Sequence, residues 1–244
     1  MDALTISAAS GLRARMESLD LLANNLANAA TGGFKSDREF YGLYSSAAAE
    51  AGDSGVATVP AIEKRWTDFS QGTLRKTGNS LDLALSGKGF FAVQGPSGPL
   101  YTRNGSLRIS PAGTLTSSDG YPVRLAGGGR LQVSSGASLE VQTDGTIRQD
   151  GSILGRLDLV DFAEPNSLAK VGNNYFRATD SGAPTPATAT SVEQGALEDS
   201  NVGTAESAIR IVGVMRQFEM LQKAVSIGAD MNRKAVEEVA RVGA

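Results

Sequence analysis

Apolar side chains near the C-terminus recur at helical spacing over about forty residues, from Thr204 to Val242. Steps of 3, 4, 3 and 4 residues, the spacing of a coiled-coil seam, separate Ile211, Val214, Phe218, Leu221 and Val225. No proline interrupts the run. At 1.5 Å per residue such a helix is roughly 55 Å long. Its apolar stripe therefore needs a second long helix beside it.

A second amphipathic pattern covers residues 3–29, at the opposite end of the chain. Its leucines follow 7-3-4 spacing and are Leu12, Leu19, Leu22 and Leu26. The pattern ends at Thr31-Gly32-Gly33, where glycine suits the left-handed conformation that terminates many helices. The sequence therefore predicts two long terminal helices whose stripes pack against each other.

Three asparagines, Asn24, Asn25 and Asn28, lie close to the end of the first helix. Asparagine has low helix propensity. Two interpretations stay open from the residues alone. The helix end frays, or the amide side chains form hydrogen bonds across helix contacts.

The period switches to two between Trp66 and about Thr190, and glycine turns become frequent. Hairpin dipeptides, which favour two-residue turns, occur at Asn104-Gly105, Asp119-Gly120, Asp144-Gly145 and Asp150-Gly151. We predict an all-β domain of roughly ten short strands without helices, in which Ile153–Phe162 is the longest strand and Ser181–Thr190 is a loop. The Ala/Gly/Ser-rich stretch Ser45–Thr58 has the composition of a linker.

These elements predict the α+β class. Long N- and C-terminal helices pack as a coiled coil, and an all-β domain is inserted between them. A pair of helices buries only one stripe of each, so apolar positions such as Val212, Met215 and Val236 call for neighbouring subunits. A heterologous contact that does not close generates a helical filament.

Composition excludes several function classes. The 244 residues carry 23 basic and 26 acidic side chains, a net charge of −3 that gives no electrostatic case for nucleic acid. Histidine and cysteine are both absent, which excludes imidazole and thiolate metal sites, cysteine nucleophiles and histidine-based triads. We expect no cofactor and no metal. No stretch approaches eighteen consecutive apolar residues, so we expect no membrane insertion.

Two strings imitate the signatures of serine β-lactam enzymes, S-x-x-K at Ser167 to Lys170 and K-T-G at Lys76 to Gly78. They occur in the reverse order, and the S-D-N element is missing. Ser167 also follows Pro165-Asn166 in a turn-like segment and does not start a helix pattern. We therefore expect no active site and no enzymatic activity.

Several longer strings resemble the signatures of flagellar rod and hook proteins. They cover both ends and the middle of the chain: Ala23–Asn28 with Thr31–Lys35, Gly72–Leu85 with Gly87–Phe91, Tyr101–Ser106, Asp119–Pro122, and Leu197–Val202 followed by the terminal helix. Within that family, Met1-Asp2 and the string Arg216–Met220 are most similar to proximal-rod members, with distal-rod members next.

The resemblance implies a structural subunit that polymerises through its terminal helices into a tubular drive shaft across the periplasm. The implied partners are copies of itself, other proximal and distal rod proteins, and the flagellar export apparatus. The N-terminus lacks the basic-then-apolar layout of a signal peptide, which fits the implied export without a cleaved signal. The implied domains are a helix at 1–30, an extended arm at 31–70, a β-rich domain at 71–200 and a helix at 201–244.

The two leucine and apolar stripes, together with Asn24, Asn25 and Asn28, are the expected self-assembly residues. Two other functions stay as alternatives. A secreted binding module or adhesin would use its helices only to oligomerise and would carry a ligand pocket on the β domain. A hydrolase would use Ser167 and Lys170.

Overall fold

The computed structural model describes residues 3–45, 58–129, 131–134, 139–179 and 182–242. The chain divides into two compact units. Unit 1 comprises the described parts of Met1–Ala27, Asp37–Trp66 and Gly203–Ala244, and unit 2 those of Asn28–Ser36 and Thr67–Val202.

Unit 1 is built from the two ends of the chain and a pair of strands. Helix α1 spans Ala3–Ala27 and helix α2 spans Thr204–Val242. Strands β1, Asp37–Ser45, and β2, Thr58–Thr67, pair as a two-stranded sheet. Glu206 lies in the first turn of α2 and forms an ion pair of 2.8 Å with Arg210, one turn later.

A glycine of α1 lies at the contact between the two helices. The buried face of α1 follows Ala8, Gly11, Ala14 and Ser18, at steps of 3, 3 and 4 residues. A Cβ atom added to Gly11 would lie 3.3 Å from Cδ1 of Leu221. The absence of a side chain at Gly11 therefore allows α2 to approach the backbone of α1 closely.

The predicted fold class is wrong. The described residues form two helices of unequal length, 25 and 39 residues, together with a domain that is mostly β-sheet. They are not two long helices joined as a leucine coiled coil, because small residues occupy most of the buried face of α1, and the buried leucines among its described side chains, Leu21 and Leu22, lie near its C-terminal end. Within the range 31–70 predicted as an extended arm, the described residues include strands β1 and β2.

Unit 2 contains fifteen strands, β3–β17, and one short 3-10 helix among its described residues. In chain order the strands are Leu74–Lys76, Leu83–Ser86, Phe90–Gly95, Gly98–Thr102, Leu107–Ile109, Leu115–Ser117, Leu139–Val141, Thr146–Gln149, Ser152–Arg156, Leu159–Asp161, Leu168–Gly172, Tyr175–Ala178, Thr185–Pro186, Ser191–Gln194 and Ala196–Glu198. The 3-10 helix, Pro165–Ser167, precedes β13.

The largest sheet has six strands in the order β13-β14-β6-β5-β12-β15. A three-stranded sheet has the order β11-β10-β9, and three two-stranded sheets pair β4 with β16, β3 with β17 and β7 with β8. All of these pairs in unit 2 are antiparallel. The strands that precede α2 therefore return to the start of unit 2, where β3 and β4 lie.

The six-stranded sheet is covered on both faces, as strand β5 shows. Phe91 and Val93 point into the larger core cluster, whereas Phe90 and Ala92 point into a smaller aromatic cluster. Ring contacts with centroids 4.9–5.9 Å apart connect the smaller cluster. Because alternate residues of a strand face opposite sides, the continuous apolar run of β5 reflects burial on both faces.

Several strand predictions need correction. The described residues of unit 2 form fifteen strands rather than roughly ten, and the 3-10 helix lies inside the range predicted to lack helices. The stretch Ile153–Phe162 is interrupted, because Leu157 leaves the ladder to donate to Gly145 O at 2.9 Å. The predicted loop Ser181–Thr190 contains strand β15, which extends the sheet beside β12.

Most of the predicted linker Ser45–Thr58 falls on residues 46–57, which lie outside the described residues. The proposed division of the chain at residues 30, 70 and 200 stays a prediction. Limited proteolysis of the purified chain, with mapping of the first cleavage sites, would test it.

Candidate assembly surfaces

The apolar stripe singled out on α2, here called the first stripe, lies on the less exposed side of the helix. Its members Ile211, Val214, Phe218, Leu221 and Val225 are all half-buried. Leu221 contacts the helix partner at Gly11. Helix α1 thus covers the first stripe only in part.

The leucines predicted on α1 lie beside its buried face rather than along its centre. Leu22 is buried, whereas Leu12, Leu19 and Leu26 are half-buried. These three side chains flank the small residues that approach α2. They leave apolar surface available along one edge of α1.

The asparagines near the end of α1 have three different environments. Asn24 is exposed, and Asn28 accepts a hydrogen bond from the Thr31 hydroxyl at 3.2 Å. Asn25 is buried, donates to Asp37 O at 2.8 Å and accepts from Asp37 N at 2.9 Å. This amide therefore binds the backbone of β1, which neither earlier interpretation described.

A further contact fastens β1 to α1. The Ser18 hydroxyl donates to Glu39 at 2.6 Å, and both residues belong to unit 1. On the same pair of strands, the Arg38 guanidinium lies 5.7 Å from the ring centroid of Trp66. Phe40 is exposed, so the strand pair also presents an apolar side chain to solvent.

Helix α2 carries a second stripe, formed by Ile209, Met220, Ile227 and Met231. Its members are 11, 7 and 4 residues apart, which returns each to the same side of a helix with 3.6 residues per turn. Each is at least 50% exposed. Met220 lies nine residues after Ile211, about two and a half turns. The second stripe therefore runs along the side of α2 opposite the first.

The other apolar positions expected to call for neighbours are also exposed. Val212 and Met215 lie outside both stripes, Val236 continues the side of the first stripe beyond Val225, and all three have about half or more of their surface open to solvent. A helix with apolar residues on more than one side needs partners on more than one side. Helix α1 supplies only one of them.

Unit 2 contains a buried ion cluster formed by Lys35, Arg103 and Glu198. Lys35 Nζ donates to Glu198 Oε1 at 2.5 Å and to Ser70 O at 2.6 Å. Arg103 donates to Glu198 Oε2 at 3.2 Å. The side chains of Lys35 and Glu198 are fully buried and that of Arg103 almost so. Burial lowers the pKa of Lys35 and of Arg103, while attraction to Glu198 opposes this shift in both.

Hydrogen bonds of the backbone and of Asn201 also connect the segments around the ion cluster. Gly33 N donates to Glu198 O at 2.6 Å. Gly33 has a φ of +66°, and a Cβ atom added to it would lie only 2.4 Å from the carbonyl carbon of Arg103. Asn201 accepts from Ser36 N at 2.8 Å and donates to Asp68 O at 2.7 Å. Residues 28–36 are thereby fastened to the last strand of unit 2.

The two residues of the hydrolase alternative do not form a catalytic pair. The Ser167 hydroxyl donates to Glu164 O at 2.6 Å. Lys170 Nζ donates to Lys35 O at 2.7 Å and lies 4.6 Å from the ring centroid of Phe34. Lys170 therefore holds residues 34–35, while the Ser167 hydroxyl is engaged by a backbone carbonyl.

Two further observations concern the described residues as a whole. No three acidic side chains among them come together in a group that could hold a metal ion. Neither helix, within the part of the chain that the structure describes, combines the length and apolar character of a membrane span.

Sequence reasoning missed the small-residue face of α1 and the second stripe of α2. Both are visible as helical spacings once small residues and 11-residue steps are counted. It also missed the ion cluster, because Lys35 and Glu198 are 163 residues apart in the chain. The strings Thr31–Lys35 and Leu197–Val202 stand out in the sequence, but nothing in it shows that they meet.

Comparison with known proteins gives matches to two families. Residues 84–153 match the family described as flagellar hook protein FlgE/F/G D1 domain. Residues 193–238 match the family described as flagellar basal body rod FlgEFG protein C-terminal. The second match covers the last strands of unit 2 and most of α2.

The chain is also similar to curated proteins along nearly all of its length. It is 34% identical to the flagellar basal-body rod protein FlgF of Caulobacter vibrioides, with 92% of each chain covered. It is 32% identical to FlgG of Buchnera aphidicola, over 92% of this chain and 95% of the relative. FlgG of Bacillus subtilis is 28% identical over 94% of this chain and 96% of its own.

Proposed function

Because the chain belongs to the family of flagellar basal-body rod proteins that includes FlgF and FlgG, we propose that it polymerises through its terminal helices into the tubular shaft of the rod. It is a structural subunit of the bacterial flagellar basal body and assembles with other rod proteins. Similarity to the FlgF relative favours a place among the proximal-rod subunits.

The observation that carries the proposal is the second stripe of α2. Ile209, Met220, Ile227 and Met231 form an apolar line on the side of the helix away from the first stripe. Apolar surface of this extent costs free energy in water and favours association. Its occupant in this proposal is a terminal helix of a neighbouring rod subunit.

The residues expected to mediate self-assembly are part of the proposal. The half-buried side chains of the first stripe and Leu12, Leu19 and Leu26 keep apolar surface that α1 and α2 do not cover for each other. Leu22 and Asn25 support these surfaces from within unit 1, and Asn28, which belongs to unit 2, is kept as an expected assembly residue. Asn24, which is exposed, lies where a neighbouring helix can reach it.

The proposal also covers the route to the rod and the absence of catalysis. We infer that the flagellar export apparatus delivers the chain to the rod. In the rod, the chain is a structural subunit rather than an enzyme. The separate hydrogen bonds of Ser167 and Lys170 support the second point. A secretion assay in cells with an inactive flagellar export apparatus tests the first, since the chain should then stay in the cytoplasm.

The central experiment removes two side chains from the first stripe, Phe218→Ala with Leu221→Ala. Both residues belong to unit 1, so the thermal transition of unit 2 should not change. We expect normal export, loss of motility, and absence of the variant from isolated basal bodies. The matched control, Glu237→Gln with Glu238→Gln, changes two exposed residues of the same helix and should swim normally. Normal swimming of the double alanine variant would contradict assembly through these helices.

A further inference from the structure

All sulfur atoms of this chain belong to unit 1, the unit that contains the two helices. The sequence has five methionines and no cysteine. Beyond Met1, all of them lie on helices, Met16 on α1 and Met215, Met220 and Met231 on α2. Unit 2 contains none. An oxidant that acts on sulfur therefore changes unit 1 and spares unit 2.

All four of these methionines are open to solvent. Their exposed fractions are 56%, 49%, 63% and 65% in chain order. Met220 and Met231 differ from the other two because they belong to the second stripe, together with Ile209 and Ile227. The same two side chains are thus accessible before assembly and part of the surface that assembly has to bury.

We propose that Met220 and Met231 form an oxidation site that controls assembly: conversion to methionine sulfoxide by a peroxide makes the subunit unable to join the rod. This inference rests on the proposed function, since it needs the second stripe to be an assembly surface. The proposed modification is reversible, because sulfoxide reductases return the sulfide.

The reaction balances with hydrogen peroxide as the only co-reactant. A lone pair of the methionine sulfur attacks one peroxide oxygen, the sulfur–oxygen bond forms and the oxygen–oxygen bond breaks. The leaving hydroxide takes the proton from the new sulfur-bound hydroxyl and becomes water. Sulfur loses two electrons and the peroxide gains them, giving one sulfoxide and one water for each peroxide.

Methionine sulfoxide weakens association between helices because it is polar. A sulfoxide is a polar group and a strong hydrogen-bond acceptor, whereas the thioether is apolar and adaptable. Buried between helices, its oxygen would lose its hydrogen bonds to water without a compensating donor, which opposes association. Two such groups in one stripe of four apolar residues interrupt the surface at the middle and at one end.

The first half of the experiment follows the chemistry on the purified full-length chain. After treatment with hydrogen peroxide, peptide mass spectrometry should show sulfoxide at Met16, Met215, Met220 and Met231, formed while the chain is still folded. The thermal transition of unit 2 should stay where it was. Resistance of Met220 and Met231 to peroxide, at doses that oxidise a free methionine, would overturn the proposal.

The second half tests the consequence in cells that carry only the variant copy. Met220→Gln with Met231→Gln places an uncharged polar side chain of similar length at both positions and imitates the sulfoxide. We expect incorporation into basal bodies to fall about tenfold or more, a difference of about 1.4 kcal/mol or larger in binding free energy. Met220→Leu with Met231→Leu keeps the surface apolar at nearly constant volume and should be incorporated normally.

The control for position is Met16→Gln, which makes the same change at an exposed methionine of α1, outside the second stripe, and should have a much smaller effect. Export of every variant is measured separately, so that failure to assemble is distinguished from failure to arrive. Normal incorporation of the double glutamine variant would overturn the proposal, and so would equal failure of the leucine variant. Absence of the unmodified chain from basal bodies would instead contradict the proposed function itself.

Discussion

At the scale of single residues, the ion cluster of unit 2 combines three buried charges, which cost free energy to remove from water. Lys35, Arg103 and Glu198 bring two cations and one anion out of water within one group. Each charge loses hydration, and the ion pairs and the bonds to backbone carbonyls offset that loss only while all partners are present. Removing one partner should therefore cost more than an exposed ion pair contributes.

We expect Lys35→Met to lower the free energy of unfolding of unit 2 by about 3–5 kcal/mol, because it leaves a buried carboxylate with less charge compensation. Urea unfolding of the full chain, followed by the circular dichroism of the β-strands, measures this loss. The matched control is Arg75→Met, which breaks the partly exposed ion pair between Arg75 and Asp199. It should cost at most about 1 kcal/mol. Equal costs for the two variants would contradict this account of the ion cluster.

A second residue-scale prediction concerns Tyr175, whose hydroxyl contacts Ser117 and Asp119 at 2.8 Å each. Burial is the main cause that raises the pKa of Tyr175 above its ordinary value of 10.0. Below pH 10 the hydroxyl is protonated in both the folded and the unfolded chain, so its stabilising effect is complete. Above pH 10 the unfolded chain loses this proton first, so stability falls as pH rises.

Tyr175→Phe should cost about 1 kcal/mol near pH 7, the typical contribution of such hydrogen bonds. The variant should also lose the part of the alkaline destabilisation that this hydroxyl causes, at most about 1.4 kcal/mol per pH unit. Urea unfolding of both proteins at about pH 7 and about pH 11 measures the difference. A gap between the two proteins that stays constant across this range would show that Tyr175 does not titrate differently on unfolding.

At the scale of elements, the contact between α1 and α2 depends on the small residues of α1. Gly11→Leu would place a large side chain where even a Cβ lies 3.3 Å from Leu221. Overpacking of this kind typically costs about 1–3 kcal/mol. We expect a lower temperature for loss of the helical circular dichroism signal and poor incorporation into basal bodies. Ala9→Leu, at an exposed position of the same helix, should change neither.

The helical period located both helices but did not predict how they pack. Leucine spacing marked a seam on α1, whereas small residues such as Ala8, Gly11 and Ala14 form most of the buried face, and of the four predicted leucines only Leu22 is buried. A search for large apolar residues overlooks a helix face whose small residues let a neighbouring helix approach the backbone. The period of two located unit 2, yet Phe90 to Val93 shows no polar alternation because both of its faces are buried. Which strands pair is decided by contacts that are distant in sequence, and local patterns do not carry that information.

At the scale of the whole molecule, unit 2 should fold without the helices, and residues 28–36 should add to its stability. A fragment covering 28–202 should melt in one cooperative transition. A fragment covering 67–202 lacks Lys35 and leaves Glu198 and Asn201 without several partners. We expect it to melt about 10 °C or more below the longer fragment. Scanning calorimetry of both fragments makes the comparison, and equal melting temperatures would mean that residues 28–36 contribute little.

The ion cluster also sets an order of events when the chain folds. Lys35 and Glu198 are 163 residues apart, and Ser36 and Asn201 are 165 apart. Contacts at such separation form late, since the entropy of closing a long loop has to be offset first. A chain that emerges from a ribosome or a narrow conduit with its N-terminus leading holds Lys35 in water until residue 198 of 244 has followed. Unit 2 can therefore finish folding only after about four fifths of the chain is out.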